Sequence, residues 1–299
     1  MHILVSGSTG FVGSSVVPAL TSHGHQVTRL VRSKPRPGES ALRWDPATGM
    51  VDAAGLEGVD GVVHLAGESI LGRWTTEKKA RIRDSRVTGT RVLCESLARL
   101  ARPPQVVVCA SAIGYYGDRG EELLQEDSAP GSGFLAETCR AWEAASQPAV
   151  RQGIRVVNLR IGVILSPRGG ALATMLAPFR LGLGGRLGSG RQYLSWIALD
   201  DLLGVILYVL TSAGLRGPVN AVAPRPVTNR EFTKALGRAL NRPTLLPMPA
   251  FAARLAFGEM ADELFLASAR VMPARLLALG YAFRHPELDG ALRHVLENR

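Results

Sequence analysis

The first thirteen residues, Met1-His-Ile-Leu-Val-Ser-Gly-Ser-Thr-Gly-Phe-Val-Gly13, decide the fold of this chain. Residues 2–5 form a short apolar run that is typical of a central parallel strand. Three glycines follow at every third position: Gly7 permits a sharp turn, Gly10 the close approach of a pyrophosphate, and Gly13 the packing of a helix on the sheet. The stretch therefore predicts a strand, a tight turn and a helix whose N-terminus is open to phosphate.

The rest of the chain continues this alternation of strands and helices. We expect a helix over residues 11–22 and a second strand directly after it, a context that favours a dinucleotide-binding turn over a plain turn without a ligand. A smaller, mostly helical C-terminal lobe is predicted from residues 167–195 and 223–299. The fold class is therefore α/β, a doubly wound parallel sheet with a substrate lobe. Its strands are predicted near residues 2–6, 26–31, 61–66, 105–110 and 155–160.

The composition of the chain limits the classes of function. Its 299 residues include 35 basic and 25 acidic ones, a net charge of +10, but the arginines are scattered and form no long basic run. We therefore expect an anionic small ligand and no nucleic acid. No apolar run is long enough to span a bilayer and no leader precedes the first strand, so we expect no membrane association and a cytoplasmic protein. Cys94, Cys109 and Cys139 form no CxxC pair, which favours buried free thiols and no metal site.

The end of the second strand bears on the choice of cofactor. An acidic residue there would accept hydrogen bonds from the ribose 2′-hydroxyl of NAD and would repel a 2′-phosphate. This chain has Val31-Arg32 followed by Ser33 and Lys34, with no acid. Arg32 is able to make a forked contact with the 2′-phosphate of NADP, although a solvated basic loop would look the same. We predict NADP(H) in preference to NAD(H).

A long helix is predicted over residues 75–100, and its N-terminal half is rich in charge. Arg81 and Arg86 lie about one turn apart there, where they either face the cofactor phosphates or belong to a solvated helix face. His64 sits inside an apolar strand, so we interpret it as a packed core histidine rather than a catalyst. A single helix is predicted over residues 134–150.

Two later helices have recognisable start signals. Asp200 or Asp201 is predicted to cap the helix that runs to about residue 210. Thr228 and Glu231 have the spacing of a capping box for the next helix.

Polar residues follow the fourth predicted strand of the sheet, in the stretch Ser111-Ala-Ile-Gly-Tyr-Tyr-Gly117. This is the carboxyl edge of the sheet, where ligands bind in doubly wound folds. Ser111 and either Tyr115 or Tyr116 are the candidate catalytic residues, although both tyrosines are equally well explained as walls of a pocket. The candidate cofactor-binding residues are Gly7, Thr9, Gly10, Phe11, Val12, Gly13, Val31, Arg32, Leu65, Ala66, Gly67, Arg81, Arg86, Ser111 and Ile161.

Several motifs give the chain a family resemblance. In the family's order they are Gly7-x-x-Gly10-x-x-Gly13, Val62-Val-His-Leu-Ala-Gly67, Gly89-Thr90, Ser111 with Tyr116-Gly117, Arg160, Trp196-Ile197 with Asp200-Asp201, and Asn220 before Thr228-x-x-Glu231. Over residues 1–235 the chain thus resembles the extended short-chain dehydrogenase/reductases, the Rossmann-type class of sugar-nucleotide epimerases and dehydratases. The resemblance implies NADP binding, with Thr9 to Val12, Arg32, Leu65, Ala66 and Arg86 lining the cofactor.

Further stretches narrow the resemblance to one subgroup. These are Leu65-Ala-Gly-Glu-Ser-Ile70, Arg73-Trp74, Ser85-Arg86, Pro178-Phe-Arg-Leu-Gly-Leu-Gly-Gly185, Gly258-Glu259, Gly280-Tyr281 and Pro286-Glu-Leu288. They are similar to uncharacterised epimerase-family proteins once described as cell-division-inhibitor homologues. That subgroup has its own C-terminal domain of unknown function, which would occupy residues 236–299 here.

The chain differs from the extended short-chain dehydrogenase/reductases, the parent class, at the positions of that class's catalytic residues. The Tyr-x-x-x-Lys pair of that class, which moves a proton while hydride moves to or from the nicotinamide, corresponds to Phe134 and Thr138 here. The substrate-contacting asparagine that follows the arginine is replaced by Val163. Two hypotheses follow: an oxidoreductase or epimerase acting on a small carbonyl compound or a sugar nucleotide, and an NADP(H)-responsive regulator or scaffold without catalysis. Homodimers are common in the parent class, and we leave a homodimer open here.

Overall fold

An eight-stranded sheet forms the middle layer of the molecule in the computed structural model, which describes residues 1–297. Seven of these strands run parallel, and a short edge strand runs antiparallel to its neighbour. All strands of the described residues are β1 (His2–Ser6), β2 (Gln26–Val31), β3 (Ala41–Asp45), β4 (Met50–Val51), β5 (Gly61–His64), β6 (Val106–Ala112), β7 (Leu123–Leu124), β8 (Arg155–Ile161), β9 (Val163–Leu165), β10 (Tyr193–Leu194), β11 (Trp196–Ala198), β12 (Gly217–Ala221), β13 (Val227–Thr228) and β14 (Arg270–Val271). Three two-stranded sheets of these residues lie outside the eight-stranded sheet, formed by β7 with β14, β9 with β11, and β10 with β13.

Helices cover both faces of the sheet and build the C-terminal lobe. They are α1 (Gly13–Ser22), α2 (Ala53–Leu56), α3 (Thr76–Ala98), α4 (Phe134–Ala144), α5 (Gln147–Arg151), α6 (Gly170–Arg180), α7 (Leu199–Thr211), α8 (Asn229–Leu240), α9 (Ala250–Phe257), α10 (Ala274–Ala278) and α11 (Leu288–Glu297). A 3₁₀ turn spans Ile113–Tyr116 and a π-helical turn spans Ala261–Leu266. In the described part of the chain, no helix is both long and apolar enough to cross a bilayer.

The strand order is β12-β8-β6-β5-β1-β2-β3-β4. From β1 the chain proceeds outward through β2 to β4, then returns to the other side of β1 as β5. The order therefore reverses between β1 and β5, which in doubly wound sheets opens the crevice for a ligand. The predicted fold class and the five predicted strands are confirmed.

The core explains why these runs form a central sheet. Alternate residues point to opposite faces, so Ile3 and Val5 pack with α1 and α7, while Leu4 packs with α3. All three are fully buried, as expected for a parallel strand covered on both faces. The three cysteines are buried free thiols, as predicted.

The C-terminal lobe has a core of its own. Trp196, Phe232 and Leu292 are fully or almost fully buried, and they bring β11, α8 and α11 together. The predicted capping box is confirmed, because Thr228 Oγ1 accepts from the N–H of Glu231 and the Glu231 carboxylate accepts from the N–H of Thr228.

Two predictions about helices are wrong. The helix expected over residues 134–150 is broken into α4 and α5, because Pro148 has no N–H to continue α4 and Ser146 Oγ takes the carbonyl of Glu143. Neither Asp200 nor Asp201 caps α7, which starts after Ala198 without a side-chain cap. Both aspartates lie in the first turn and contact the C-terminal segment instead.

Candidate functional site

The glycine turn after β1 is pressed against the end of β5. Gly7 has φ +67°, and a Cβ there would lie 2.7 Å from the carbonyl carbon of Leu65. A Cβ on Gly13 would overlap the carbonyl oxygen of Gly7, so α1 starts directly against the turn. Because neither position has room for a side chain, the spacing of the glycines follows from packing as well as from ligand access.

A buried polar chain holds this turn in place. The N–H of Leu65 donates to Ser6 Oγ at 3.2 Å, which leaves the Ser6 hydroxyl hydrogen for His64 Nδ1 at 2.6 Å. His64 Nε2 lies 3.0 Å from Thr90 Oγ1, which also accepts from Trp142 Nε1 at 2.9 Å. Burial lowers the pKa of His64 to about 4, so the ring is neutral at pH 7. The interpretation of His64 as a core histidine is confirmed.

The start of α1 is open to a ligand. Thr9 and Gly10 are exposed, and a Cβ on Gly10 would meet only the Gly7 carbonyl oxygen, at 3.2 Å. Gly10 N–H donates to Gly7 O at 3.0 Å and Ser14 N–H donates to Gly10 O at 2.9 Å, whereas the N–H groups of residues 11–13 have no backbone acceptor among the described residues. Ser8 Oγ is buried and has no hydrogen-bond partner among the described residues. An open helix N-terminus beside an unsatisfied hydroxyl fits the pyrophosphate of a dinucleotide.

A cluster of cations lies beyond the end of β2. Arg32 is exposed directly after Val31. The hydrogen bond from Lys78 to Glu68, 2.7 Å long, lowers the pKa of Glu68, and the charges of Arg81 and Arg32 lower it further. Arg32 and Arg81 thus both act on the same carboxylate through their charge, although β2 and α3 are far apart in sequence.

Arg86 has a different environment from Arg81. Its Nη1 donates to the carbonyl of Glu68 at 2.9 Å, and its guanidinium lies 5.0 Å from the ring of Trp142. A Cβ on Gly67 would lie 3.3 Å from its guanidinium carbon. Arg86 therefore holds the loop after β5 through Gly67 and Glu68. Phe11 packs its ring on Gly169 and Gly170, so it links the glycine turn to the start of α6.

The carboxyl edge of β6 and β8 carries a network of charged and polar groups. Ser111 and Arg160 are register partners on neighbouring strands. Glu143 of α4 accepts a hydrogen bond from Ser111 Oγ at 2.7 Å, and it pairs with Arg160 through Nε at 2.8 Å and Nη2 at 2.9 Å. Ile161, the next residue of β8, is half-buried at the same edge.

The two candidate tyrosines have opposite environments. Tyr116 is fully buried, and its hydroxyl lies within hydrogen-bond distance of Asn220 Oδ1 at 2.7 Å, Gln125 O at 2.9 Å and Arg160 Nη1 at 3.0 Å. Burial raises the pKa of Tyr116, although Arg160 opposes that shift. Tyr115 is half-buried, and the guanidinium of Arg160 lies 3.4 Å from the centre of its ring. Tyr116 is thus held in the core, and Tyr115 lines the edge.

The residues that replace the Tyr-x-x-x-Lys pair both lie on α4. Phe134 packs edge-on against Trp74, and the ammonium of Lys79 lies 4.9 Å above its ring. Thr138 Oγ1 is buried and has no hydrogen-bond partner among residues 1–297. Glu263 of the C-terminal region accepts from the N–H groups of Phe134 and Leu135 at 2.8 and 3.0 Å.

Sequence reasoning named Ser111 and Arg160 but missed that Glu143 joins them. A signal was present, because an arginine inside an apolar strand and a glutamate on an amphipathic helix each need a partner when buried. Glu126 was missed as well: its Oε1 accepts from the N–H of Asn220 at 3.1 Å, and no local pattern marks it.

The fold, the reversal of strand order and the glycine turn together define a dinucleotide-binding protein of the doubly wound class. The profile of the NAD dependent epimerase/dehydratase family matches residues 3–221, and that of a domain of unknown function (DUF1731) matches residues 248–295. The chain belongs to the NAD dependent epimerase/dehydratase family. The resemblance predicted from the motifs is therefore confirmed.

Relatives and solved structures agree with this assignment. The chain is 45% identical over 294 residues to the epimerase family protein Mb2239 of Mycobacterium bovis, which covers 98% of this chain and 97% of that protein. The crystal structure of human epimerase family protein SDR39U1 with NADPH matches 100% of both chains at 36% identity, with a TM-score of 0.91. The nucleoside-diphosphate sugar epimerase of Corynebacterium glutamicum matches at 40% identity and a TM-score of 0.82, over 99% of this chain and 58% of that chain.

Proposed function

We propose that this protein binds NADP(H) in preference to NAD(H) and catalyses hydride transfer on a small carbonyl compound or a sugar nucleotide. The observation that carries the cofactor preference is the position of Arg32. It lies exposed at the end of β2, where NAD-binding members of such folds place an acid, and Arg81 and Lys78 add positive charge nearby. The human relative solved with NADPH supports the same choice.

The candidate chemistry rests on the edge formed by β6 and β8. When bound, the nicotinamide ring supplies or accepts the hydride, and a protein group must then give or take a proton at the substrate oxygen. Tyr115 is the better candidate for that proton, because Tyr116 is buried and hydrogen-bonded. Ser111 would position the substrate oxygen, with its hydroxyl held by Glu143 until substrate enters. The similarity to the nucleoside-diphosphate sugar epimerase of Corynebacterium glutamicum supports the substrate class.

A second candidate function is an NADP(H)-responsive regulator or scaffold. It is favoured by one observation, that Phe134 and Thr138 stand where the parent class has its proton donor and its lysine. Phenylalanine has no proton to give, and the Thr138 hydroxyl carries no charge. The expectations of no nucleic-acid partner and no membrane association stay predictions. Whether the chain forms a homodimer is left undecided.

The cofactor proposal is tested by titration with NADPH and with NADH, followed by nicotinamide fluorescence. Arg32→Asp should weaken NADPH binding by about ten- to hundred-fold, the value of a lost hydrogen bond to a charged group, and should leave NADH little changed. Arg36→Asp is the matched control, since Arg36 is exposed in the same loop. Equal and weak binding of both cofactors by the unchanged protein would contradict the proposal.

The reaction is tested separately, with a panel of carbonyl compounds and sugar nucleotides in the presence of NADPH or NADP⁺. Turnover that Tyr115→Phe removes while cofactor affinity is kept would support Tyr115 as the proton donor. Turnover that survives in Tyr115→Phe would exclude it. No change in nicotinamide absorbance and no epimerised product across the panel, together with tight NADPH binding, would favour the regulator.

A further inference from the structure

Three side chains from separate parts of the chain meet at the junction of α7 and α11. Asp200 lies in the first turn of α7, His285 lies between α10 and α11, and His294 lies near the end of α11. Each offers one ligand atom, and the three atoms all lie within 4.8 Å of one another. We propose that Asp200, His285 and His294 form a binding site for a divalent transition-metal ion, with zinc as the best fit.

The geometry of the cluster is close to that of a metal site. His294 Nε2 and Asp200 Oδ2 are 2.6 Å apart, and the rings of His285 and His294 are stacked with centroids 4.1 Å apart. Tetrahedral zinc with bonds of about 2.0 Å places neighbouring ligand atoms about 3.3 Å apart. The 2.6 Å separation of the Asp200 and His294 ligand atoms is shorter than that value, and all three ligand atoms lie within 4.8 Å of one another, so the side chains would have to rotate to surround an ion.

The backbone that carries these side chains is already ordered. Asp201 is fully buried, and its carboxylate accepts from the N–H groups of Arg284 at 2.7 Å and of His285 at 2.9 Å. Helix α11 is anchored by Leu288 and Leu292, which are buried in the core of the C-terminal lobe. Binding would therefore order little more than three side chains, which keeps its entropic cost low.

The donor set selects the class of metal. Two imidazoles and one carboxylate suit zinc, cobalt or nickel, whereas calcium and magnesium prefer oxygen ligands throughout. All three residues are half-exposed, so a water molecule has access to a fourth position. The cluster shares no residue with the glycine turn or the Ser111–Glu143–Arg160 network. The ion would tie α11 to α7 rather than take part in hydride transfer.

The test is a calorimetric titration of tag-free protein with Zn²⁺, repeated with Co²⁺ to follow the visible absorption of tetrahedral cobalt. We expect one ion per chain and a rise in Tm on Zn²⁺ addition. His294→Ala and Asp200→Asn each remove a direct ligand, so both should weaken binding by more than about 100-fold, beyond what loss of a supporting partner costs. Each variant is first checked for cooperative unfolding without metal.

The N-terminal histidines supply the control. His23 is exposed and His25 is half-buried, and His25 Nδ1 lies 3.5 Å from the Met1 amine, so this end of the chain is a competing place for an ion. The double variant His23→Ala/His25→Ala should bind Zn²⁺ as the unchanged protein does. The proposal is overturned if that double variant loses binding, or if His294→Ala and Asp200→Asn bind Zn²⁺ as tightly as the unchanged protein. Asp200 and His294 would then be a hydrogen-bonded pair only.

Discussion

The guanidinium of Arg160 and the carboxylate of Glu143 form a two-point ion pair at the carboxyl edge of the sheet, at 2.8 and 2.9 Å. The Arg160 side chain is 3% exposed and that of Glu143 is 13% exposed. Burial alone would lower the pKa of Arg160, but the hydrogen bonds and charge of Glu143 outweigh it and raise the pKa above its ordinary value. Because Ser111 donates to the same carboxylate, the pair sets the orientation of a candidate catalytic hydroxyl.

Removing the carboxylate of Glu143 should destabilise the protein strongly. Glu143→Ala leaves the buried charge of Arg160 without its carboxylate partner, and such a loss costs about 3–5 kcal/mol. The measurement is the free energy of unfolding in urea. The matched control is Glu122→Ala, which breaks the exposed Arg119–Glu122 pair and should cost less than about 1 kcal/mol. Equal costs for the two variants would mean that Arg160 finds water when Glu143 is absent.

The C-terminal region should stabilise the start of α4 through Glu263. Gly133 precedes that helix and offers no side-chain cap, so the carboxylate of Glu263 supplies one by accepting from Phe134 and Leu135 N–H. Glu263→Ala should cost about 1–2 kcal/mol and speed hydrogen exchange at those two amides. Glu263→Gln keeps one acceptor oxygen, so its free energy of unfolding should lie between those of the unchanged protein and of Glu263→Ala. Unchanged exchange at both amides in Glu263→Ala would show that the contact does not stabilise the helix.

The sequence predicted the parts of the fold that depend on local pattern. Apolar runs and glycine spacing are set within a few residues, so β1, the turn and α1 could be placed in advance. The hydrogen-bond network of the site could not be predicted from the sequence. Ser111 and Arg160 are 32 and 17 residues away from Glu143 in sequence, and their pairing depends on strand register. The Glu263 cap, 129 residues from Phe134, is beyond any local pattern for the same reason.

Tyr115 and Tyr116 show most directly what the sequence alone cannot predict. They have the same chemistry and adjacent positions, so nothing in the sequence separates a core residue from an edge residue. The 3₁₀ turn at Ile113–Tyr116 determines which tyrosine lies in the core. This turn directs the hydroxyl of Tyr116 toward Asn220 and leaves Tyr115 half-buried.

A methyl group at Gly13 should disturb the glycine turn. The new Cβ would overlap Gly7 O, which is backbone and has no rotamer to escape into. Gly13→Ala should therefore cost about 1–3 kcal/mol and weaken NADPH binding, as measured by urea unfolding and by fluorescence titration. The control is Gly290→Ala in α11, where a Cβ meets nothing within 4 Å and a gain of about 0.5–1 kcal/mol is expected. Full NADPH affinity in Gly13→Ala would contradict the close packing of α1 on the turn.

The buried histidine of β5 should make the protein sensitive to acid. Burial lowers the pKa of His64 from 6.5 to about 4. The unfolded chain therefore takes up a proton as pH falls through 6.5, while the folded chain does not until pH falls to about 4. Stability from the neutral ring is complete above pH 6.5 and is lost on the way to pH 4, by at most about 3 kcal/mol. His64→Gln should be less stable at pH 7, since it disrupts the Ser6–Thr90 chain, but it should lose less of its unfolding free energy between pH 7 and pH 4.5 than the unchanged protein. Equal losses over that range, measured by urea unfolding at each pH, would show that the acid sensitivity comes from other groups.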